Sequence, residues 1–411
     1  MQILSEKNLS SYKYHLIKTN IFAPKLQTIV SKMTDLHSSK AISALRFPLA
    51  MLVLFVHCHA ENFQYAQPPS QWGDVSFGEM FYSLVAYTLA WSGPVAVPAF
   101  FLLSGYLFFV NISDQWSWDT YRIKLTKRIR TLLIPYLLFN GIATVSSLYF
   151  GDPTWRNDSM IPWIGYFWNS TTFCVGMHNW MGLDMQLFYP EVIPLWYMRD
   201  LMFMCIITPL IWLLLVKWPR ITLSLLLAFY LSGLWIGANG YNSQALAFFS
   251  IGACFAIHNK DMMVWCRRYL TPLAIASLAM LTIVVRCNSL THAQQLNHFF
   301  YLCSSLTLMG LAMLGTEGGK SFPKLLTESS FFVYSSHMCI VGGWSILSLA
   351  PHCLQGVFGA PDGFVNAMSQ LLLGPLFILA CCLVIYLLLK KCCNPMFILL
   401  NGGRKLLNEQ Q

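Results

Sequence analysis

From residue 42 to residue 389 the chain repeats one pattern: an apolar run of about 20 residues, then a connection carrying Lys, Arg or aromatic side chains. Ten such runs are legible, at 42–60, 79–109, 131–150, 196–216, 221–237, 243–258, 271–287, 297–315, 329–349 and 367–389. A helix of that length crosses the hydrocarbon core of a bilayer, and inside lipid a lone segment must satisfy its own backbone amides. Composition points the same way. Hydrophobic residues make up 56% of the chain and charged residues 10%, with a mean hydropathy of +0.54. An average soluble chain carries about a quarter charged residues, so there is too little charge here to coat a soluble surface of this size. Disordered chains, coiled coils and secreted disulfide scaffolds are excluded on these grounds. The net charge of +9 is spread without a stretch of five or more like charges, which gives a nucleic-acid partner no footing. The predicted fold class is all-α: a polytopic membrane protein of about ten transmembrane helices.

Orientation follows from where the basic residues fall. The second run is 31 residues long and is interrupted by Gly93, Pro94 and Pro98, so it reads either as one broken span or as two short ones. With one span, the connections on a single side of the membrane carry 22 of the 26 Lys and Arg residues. Basic residues gather on the cytoplasmic side, which makes that side the inside and predicts that both termini are cytoplasmic. The predicted organisation is an N-terminal extension over 1–40, a membrane domain over 41–390 and a C-terminal tail over 391–411. Met33 opens a more usual start, and residues 1–32 are expected to be dispensable. Of the 13 cysteines, Cys205, Cys254, Cys303, Cys339, Cys381 and Cys382 lie inside apolar runs and read as small hydrophobes. Cys58, Cys174, Cys287 and Cys353 would face outward, and nothing in the sequence pairs them.

Ionisable groups inside spans are costly and serve as candidate functional residues. Arg46 and His57 share the first span. Eleven residues of helix bring them back to within about 20° of one face and separate them by about 16 Å. Taken singly, Arg46 reads as an inner anchor or an anion ligand, and His57 as a packed histidine or a base. Glu61, at i+4 from His57, is positioned to orient the imidazole or simply to sit in water. Arg122, Lys124, Lys127, Arg128 and Arg130 precede the third run, either setting topology or clamping phosphate. Arg199 and Asp200 adjoin at the outer end of the fourth run, as a local ion pair or as ligands of an acceptor. His337 lies within the ninth run, where a lone histidine is more often structural. The aromatic side chains of the 151–195 loop (Trp155, Trp163, Tyr166, Trp168, Trp180 and Tyr189) fit an interfacial belt or a platform for a sugar. No metal set is present in the sequence, and P-loop, dinucleotide-binding and serine-elbow motifs are missing.

Together these residues resemble the membrane-bound acyltransferase-3 family. "ISALRFPLAMLVLFVHCHA" is similar to its first span, with the family's arginine and histidine falling on Arg46 and His57. "VPAFFLLSGYLFF" resembles its second-span motif, "KLTKRIRTLLIPYLL" its inner Arg-x-Arg before a span opened by proline, here Arg128, Arg130 and Pro135. "LWYMRDLM", with Trp196, is similar to its "LWF" segment, and "FFVYSSHMCIV" to its late histidine-bearing span. The histidine that often precedes the Leu-Trp pair is replaced by Pro194. The resemblance runs from about residue 40 to 390.

The resemblance implies an O-acyltransferase of the bacterial inner (plasma) membrane. Its donor would be a cytoplasmic acyl-CoA, acetyl-CoA being the common case, with no metal. Its acceptor would be a hydroxyl of a glycan, a lipid-linked sugar or a small molecule, reached amid membrane lipids. On this expectation Arg128 and Arg130 hold the donor phosphates and Arg46 lines the donor tunnel. His57 deprotonates the acceptor hydroxyl or transiently carries the acyl group. Trp196, Arg199, Asp200 and His337 contact the acceptor. The broken second span, with Ser104 and Gly105, would let the backbone approach the tunnel. Two rival readings are a transporter or flippase for a polar lipid or sugar, and a non-catalytic membrane scaffold. The first lacks intramembrane carboxylates for ion coupling and an inverted repeat. The second leaves Arg46 and His57 on one face without a purpose.

Overall fold

Apolar segments that satisfy their own amides become helices, and helices dominate the computed structural model of the chain. It describes residues 24–59, 66–110, 112, 116–150, 170–178, 184–234, 241–287, 293–320, 322–341, 344–357 and 364–403. In chain order the helices are α1 (Pro24–His59), α2 (Phe77–Ser92), α3 (Ala96–Phe109), α4 (Trp118–Arg128), α5 (Ile134–Phe150), α6 (Trp196–Ile206), α7 (Thr208–Lys217) and α8 (Pro219–Leu231). They continue with α9 (Ser243–Ile257), α10 (Met262–Arg268), α11 (Leu270–Arg286), α12 (Ala293–Gly315), α13 (Lys324–Ser336), α14 (Ile346–Leu354), α15 (Phe364–Cys392) and α16 (Asn394–Leu400). The described residues are nearly all helical, as expected, with two small strand pairs beside the helices. An antiparallel hairpin, β1 (Ser170–His178) with β2 (Asp184–Tyr189), stands in the long loop before α6, and a two-residue pair, β3 (Ile340–Val341) with β4 (Trp344–Ser345), follows α13.

Each of the ten apolar runs contains helix among the described residues, but unequally. Five stretches are long and apolar enough to cross a membrane: His37–His57, Phe77–Phe109, Trp118–Ser146, Gln295–Gly315 and Val365–Cys392. Two more count only as bent pairs, α6 with α7 at 60° and α10 with α11 at 75°. Pro209 and Pro272 sit in the first turn after each bend, where proline removes a backbone donor from a continuing helix. Helices α8 and α9, of 13 and 15 residues, are shorter than the 20 or so that a full crossing needs. The ninth run, predicted as one span over 329–349, is broken: α13 stops at Ser336, the β3–β4 pair intervenes and α14 begins at Ile346. By length and composition the described residues therefore supply five to seven spans. The 33-residue Phe77–Phe109 segment counts by length and composition as one span, with a 3₁₀ turn at Gly93–Val95 carrying Pro94 and with Pro98 in the first turn of α3.

Caps mark several helix starts. Ser76 and Glu79 form a reciprocal capping box at α2, with Glu79 N donating to Ser76 Oγ at 3.3 Å and Ser76 N to Glu79 Oε2 at 3.0 Å. Asn242 caps α9, and Asp261 caps α10 while also accepting from Ser38 Oγ of α1 at 2.5 Å. Apolar side chains on α8, α11 and α15, such as Leu225, Ile275, Leu278 and Val384, point outward and are exposed. A soluble surface would not carry such a belt, whereas lipid accepts it.

The centre of the molecule is a backbone-to-backbone crossing of α3 and α9. A Cβ built on Gly105 would lie 2.0 Å from Phe249 O, and one on Gly252 would lie 2.0 Å from Leu102 O. Each helix thus offers a glycine to the other's carbonyl, the small-residue packing that lets membrane helices approach closely. Gly105, expected from sequence to admit a tunnel, instead admits α9. Around the crossing pack Phe101, Leu102, Phe108, Phe109, Phe248 and Phe249, all buried. No disulfide joins the described cysteines. Cys205, Cys339 and Cys382 are buried, while Cys254, Cys303 and Cys381 are half-buried. Cys58 and Cys174 have side chains outside the described set.

This crossing makes a testable demand. Gly105→Ala or Gly252→Ala should force α3 and α9 apart and destabilise the detergent-solubilised protein by about 1–3 kcal/mol, read as a lowered melting temperature. Gly315→Ala, whose added Cβ meets nothing within 4 Å, is the matched control and should melt with the parent. Equal melting of all three variants would remove the crossing from its central place.

Candidate active site

Helix α1 brings Arg46 and His57 onto the side that faces α13. Along α13, residues Thr327, Glu328, Phe331 and Tyr334 recur at helical spacing and line a cavity that Arg46 also lines. The stripe ends in His337, at the C-terminal cap of α13. The His57 and His337 rings lie 5.2 Å apart, centroid to centroid, at 43°. His337 is fully buried. Its Nδ1 contacts Val333 O at 3.1 Å, which assigns the proton to Nδ1, and its Nε2 has no hydrogen-bond partner among the described residues. His337, expected from sequence to contact the acceptor, lies beside His57. Glu61, the expected orienting carboxylate, lies outside the described residues.

The cavity measures about 650 Å³. Its walls come from α1 (Ser43, Arg46), α3 (Phe100, Ser104), α4 (Lys124, Lys127, Arg128), α6 (Tyr197, Met198), α13 and Asn401 after α16. Lys124 is committed to the end of α3, donating to Phe108 O at 2.5 Å and Val110 O at 2.7 Å. Arg46 and Arg128 stand within electrostatic reach of each other, and no side-chain hydrogen bond or ion pair engages either among the described residues. Two uncompensated guanidinium groups sharing one cavity repel, and an anion between them relieves the repulsion. The one carboxylate in the lining, Glu328, lies 3.8 Å from Lys324 Nζ.

Of the Arg-x-Arg pair only Arg128 lines the cavity, while Arg130 is exposed outside it. Residues two apart on a helix point about 200° away from each other, so they do not share a face. A π-turn at Ile129–Leu133 begins immediately after Arg128 and brings Thr131 and Leu132 into the wall. Nothing in residue composition announces such a turn. Tyr197, Glu328, Tyr334 and Asn401 were not singled out from sequence as site residues, whereas Lys127 belongs to the basic cluster that was. Tyr334, three residues before His337, is the member whose helical spacing does signal it.

Neither His57 nor His337 lines the cavity, so Arg46 and His57 face the same helix but not the same space. Between them stand Phe100, Tyr197 and Tyr334, with Tyr334 centred 6.2 Å from Phe100, 6.0 Å from Tyr197 and 6.5 Å from His337. The Tyr334 hydroxyl donates to Pro194 O, and Ser104 Oγ and Tyr197 OH are 3.0 Å apart. Among the described residues the cavity at Arg46 does not extend to His57, in contrast to the single passage expected from sequence.

Arg199 and Asp200 do not line the cavity either, although Met198 and Leu201 beside them do. They form a buried pair, Nε to Oδ1 at 3.2 Å, with Tyr136, Tyr189 and Tyr334 within electrostatic reach. Trp196 is half-buried, its ring 6.5 Å from Phe101 and 6.5 Å from Tyr189. The loop aromatics Trp155, Trp163, Tyr166, Trp168 and Trp180 lie outside the described residues. Among the described residues no group of three or more His, Cys, Asp or Glu is placed to hold a metal ion.

Comparison with known proteins adds three findings. The sequence profile of the acyltransferase-3 family, described as an acyltransferase domain, matches residues 39–389. The succinoglycan biosynthesis protein ExoH of Rhizobium meliloti (strain 1021) is 25% identical over 254 residues, covering 61% of this chain and 62% of that protein, so the match spans less than two thirds of the relative's length. No solved structure matches.

The buried ion pair is the most exposed to test by substitution. Asp200→Ala should remove the carboxylate adjacent to Arg199 in a buried setting and lower the melting temperature. Arg199→Met with Asp200→Leu, which removes both charges, should cost distinctly less. Thermal melts in detergent decide, and a double variant as unstable as Asp200→Ala would show that the pair does more than neutralise itself.

Proposed function

The chain belongs to the acyltransferase-3 family, and we propose that it is a multi-pass O-acyltransferase of the bacterial inner membrane with both termini in the cytoplasm. Its donor is an acyl-CoA, acetyl-CoA in the first instance, entering the cavity from the cytoplasmic side. Its acceptor is a hydroxyl of a glycan or lipid-linked sugar. The supporting observation is the cavity itself: Arg46 and Arg128 line one space with no side-chain hydrogen bond or ion pair on either among the described residues, and Tyr334 in its wall lies 6.5 Å from His337, which lies 5.2 Å from His57.

On this reading Arg128, Lys127 and Arg46 hold the donor phosphates. His57 takes the proton of the acceptor hydroxyl, and the hydroxyl oxygen attacks the thioester carbonyl carbon. The C–S bond breaks, and the departing thiolate recovers the proton from the imidazolium. The alternative path, in which His57 first accepts the acyl group and then passes it on, uses the same residues. His337, whose Nε2 has no hydrogen-bond partner among the described residues, lies with its ring 5.2 Å from that of His57 and is assigned to orient it. The reading requires the acyl arm to displace the wall of Phe100, Tyr197 and Tyr334, because donor phosphates at Arg46 and an acceptor at His57 lie on its two sides. A glycan acceptor is favoured by the relative named for succinoglycan biosynthesis. Trp196, Arg199, Asp200 and His337 are assigned to the acceptor. The membrane domain is assigned to residues 41–390, with a cytoplasmic extension over 1–40.

The same wall would suit a flippase that opens to each side in turn, and acyl-CoA consumption by purified protein separates the two. His57→Ala should lower turnover by about 10²- to 10⁴-fold while donor binding and melting temperature stay as in the parent. Near-normal transfer would discard His57 as base and as acyl carrier. Arg128→Ala should weaken acyl-CoA binding by about 10-fold or more, and Arg130→Ala by about 2-fold or less. The reverse order would relocate the phosphates.

A further inference from the structure

The lining of the cavity holds two features that a phosphate site does not need. Glu328 Oε1 and Asn401 Oδ1 are buried oxygen atoms with no hydrogen-bond partner among the described residues. For Glu328 the nearby cation is Lys324 at 3.8 Å, beyond hydrogen-bond reach. Asn401 is 2% exposed, and its backbone N–H is already used, donating to Phe397 O at 2.9 Å. Buried acceptors are ordinarily satisfied, and leaving one unsatisfied has a desolvation cost. A carboxylate among cations also repels a pure polyanion, so its presence asks for a ligand that brings hydrogen atoms as well as phosphate oxygens.

Asn401 lies beyond the part of the chain that matches the family, 39–389. Its position is nevertheless held. In α16 Phe397 and Leu400 are buried, and the Phe397 ring packs 5.0 Å from that of Tyr386 at 77°. The next residue, Gly402, has φ +71°, and a Cβ on it would lie 2.6 Å from Thr131 O. The segment after α15 is therefore seated on the π-turn that follows Arg128, the phosphate-facing wall. A backbone approach of that kind, in a left-handed conformation, suits glycine alone.

We propose that Glu328 and Asn401 recognise hydrogen-bond donors, N–H or O–H, on the acyl donor. Residues 394–403 then complete the donor site rather than forming a free tail. This rests on the reading of the cavity as the acyl-CoA site. Coenzyme A carries such donors in two places, the amides and hydroxyl of its pantetheine arm and the amino group and ribose of its adenosine. Simple polyanions such as pyrophosphate carry none when fully ionised.

The test measures binding to the full-length protein in detergent, with acetyl-CoA, acetyl-phosphopantetheine and inorganic pyrophosphate as probes. Asn401→Leu and Glu328→Gln should each weaken acetyl-CoA binding by about 3- to 10-fold. Pyrophosphate binding should be unchanged by the first and unchanged or tighter with the second, which removes a negative charge. Asn401→Leu removes an oxygen that has no partner, so its melting temperature should not fall below the parent's. Glu328→Gln keeps the shape of the side chain should Asn401→Leu fold poorly. A penalty that persists with acetyl-phosphopantetheine places the contact on the pantetheine arm, and one that vanishes places it on adenosine. Parental acetyl-CoA affinity in both variants, with Arg128→Ala still weakened, would overturn this inference and leave the donor cavity standing. Parental affinity in Arg128→Ala as well, or no acetyl-CoA binding by the parent, would take the donor reading down with it.

Discussion

A guanidinium on a membrane-crossing helix has to be given a polar surrounding, and the architecture around Arg46 supplies one. An arginine at depth costs a few kcal/mol even when it snorkels. Here α1, α3, α4, α6 and α13 stand apart enough to leave a cavity of about 650 Å³ beside it. The cavity collects more positive charge at its α4 wall and keeps its single carboxylate close to a lysine. A space with that balance is stable when hydrated and is improved by an anion. The fold, the candidate site and the proposed donor chemistry all follow from this accommodation of charge in an apolar setting.

The looseness on one side of α3 is matched by tightness on the other. At Gly105 and Gly252 the α3 and α9 backbones meet with no room for a methyl group. Lipid provides little hydrophobic drive for helix association, so close van der Waals contact of this type has to hold the helices together. Ser104, the neighbour of Gly105, reaches into the cavity and lies 3.0 Å from Tyr197 OH. One turn of α3 therefore carries both the contact that fixes the helix and a group in the cavity wall. The aromatic wall of Phe100, Tyr197 and Tyr334 rests on the same helix and on α6 and α13, so its opening would move side chains over a fixed backbone frame.

Features set within one segment were legible from residue order. That several stretches are long and apolar enough to cross a membrane follows from run length, although ten were expected and five to seven are found among the described residues, and the shared face of Arg46 and His57 follows from helical periodicity, because α1 is continuous from one to the other. Arg128 was legible as a phosphate candidate, whereas Arg130 was grouped with it by adjacency although helix geometry sets the two on different faces. The break after Ser336 was read through, since a run of apolar residues carries no mark of a helix that stops at a buried histidine. Pairings between distant segments were not legible at all: His57 with His337, Tyr334 with Pro194, and Thr131 with Gly402.

The amino-acid sequence by itself determined that this chain is a helical membrane protein with an arginine and a histidine on one stripe, because run length and periodicity are properties of a single helix and need no partner. Only the tertiary structure decided which groups surround that stripe, and that an aromatic wall divides Arg46 from His57. Those outcomes depend on crossing distances, a π-turn and helix breaks. They are chosen by packing between segments far apart in the chain, where no local spacing rule operates.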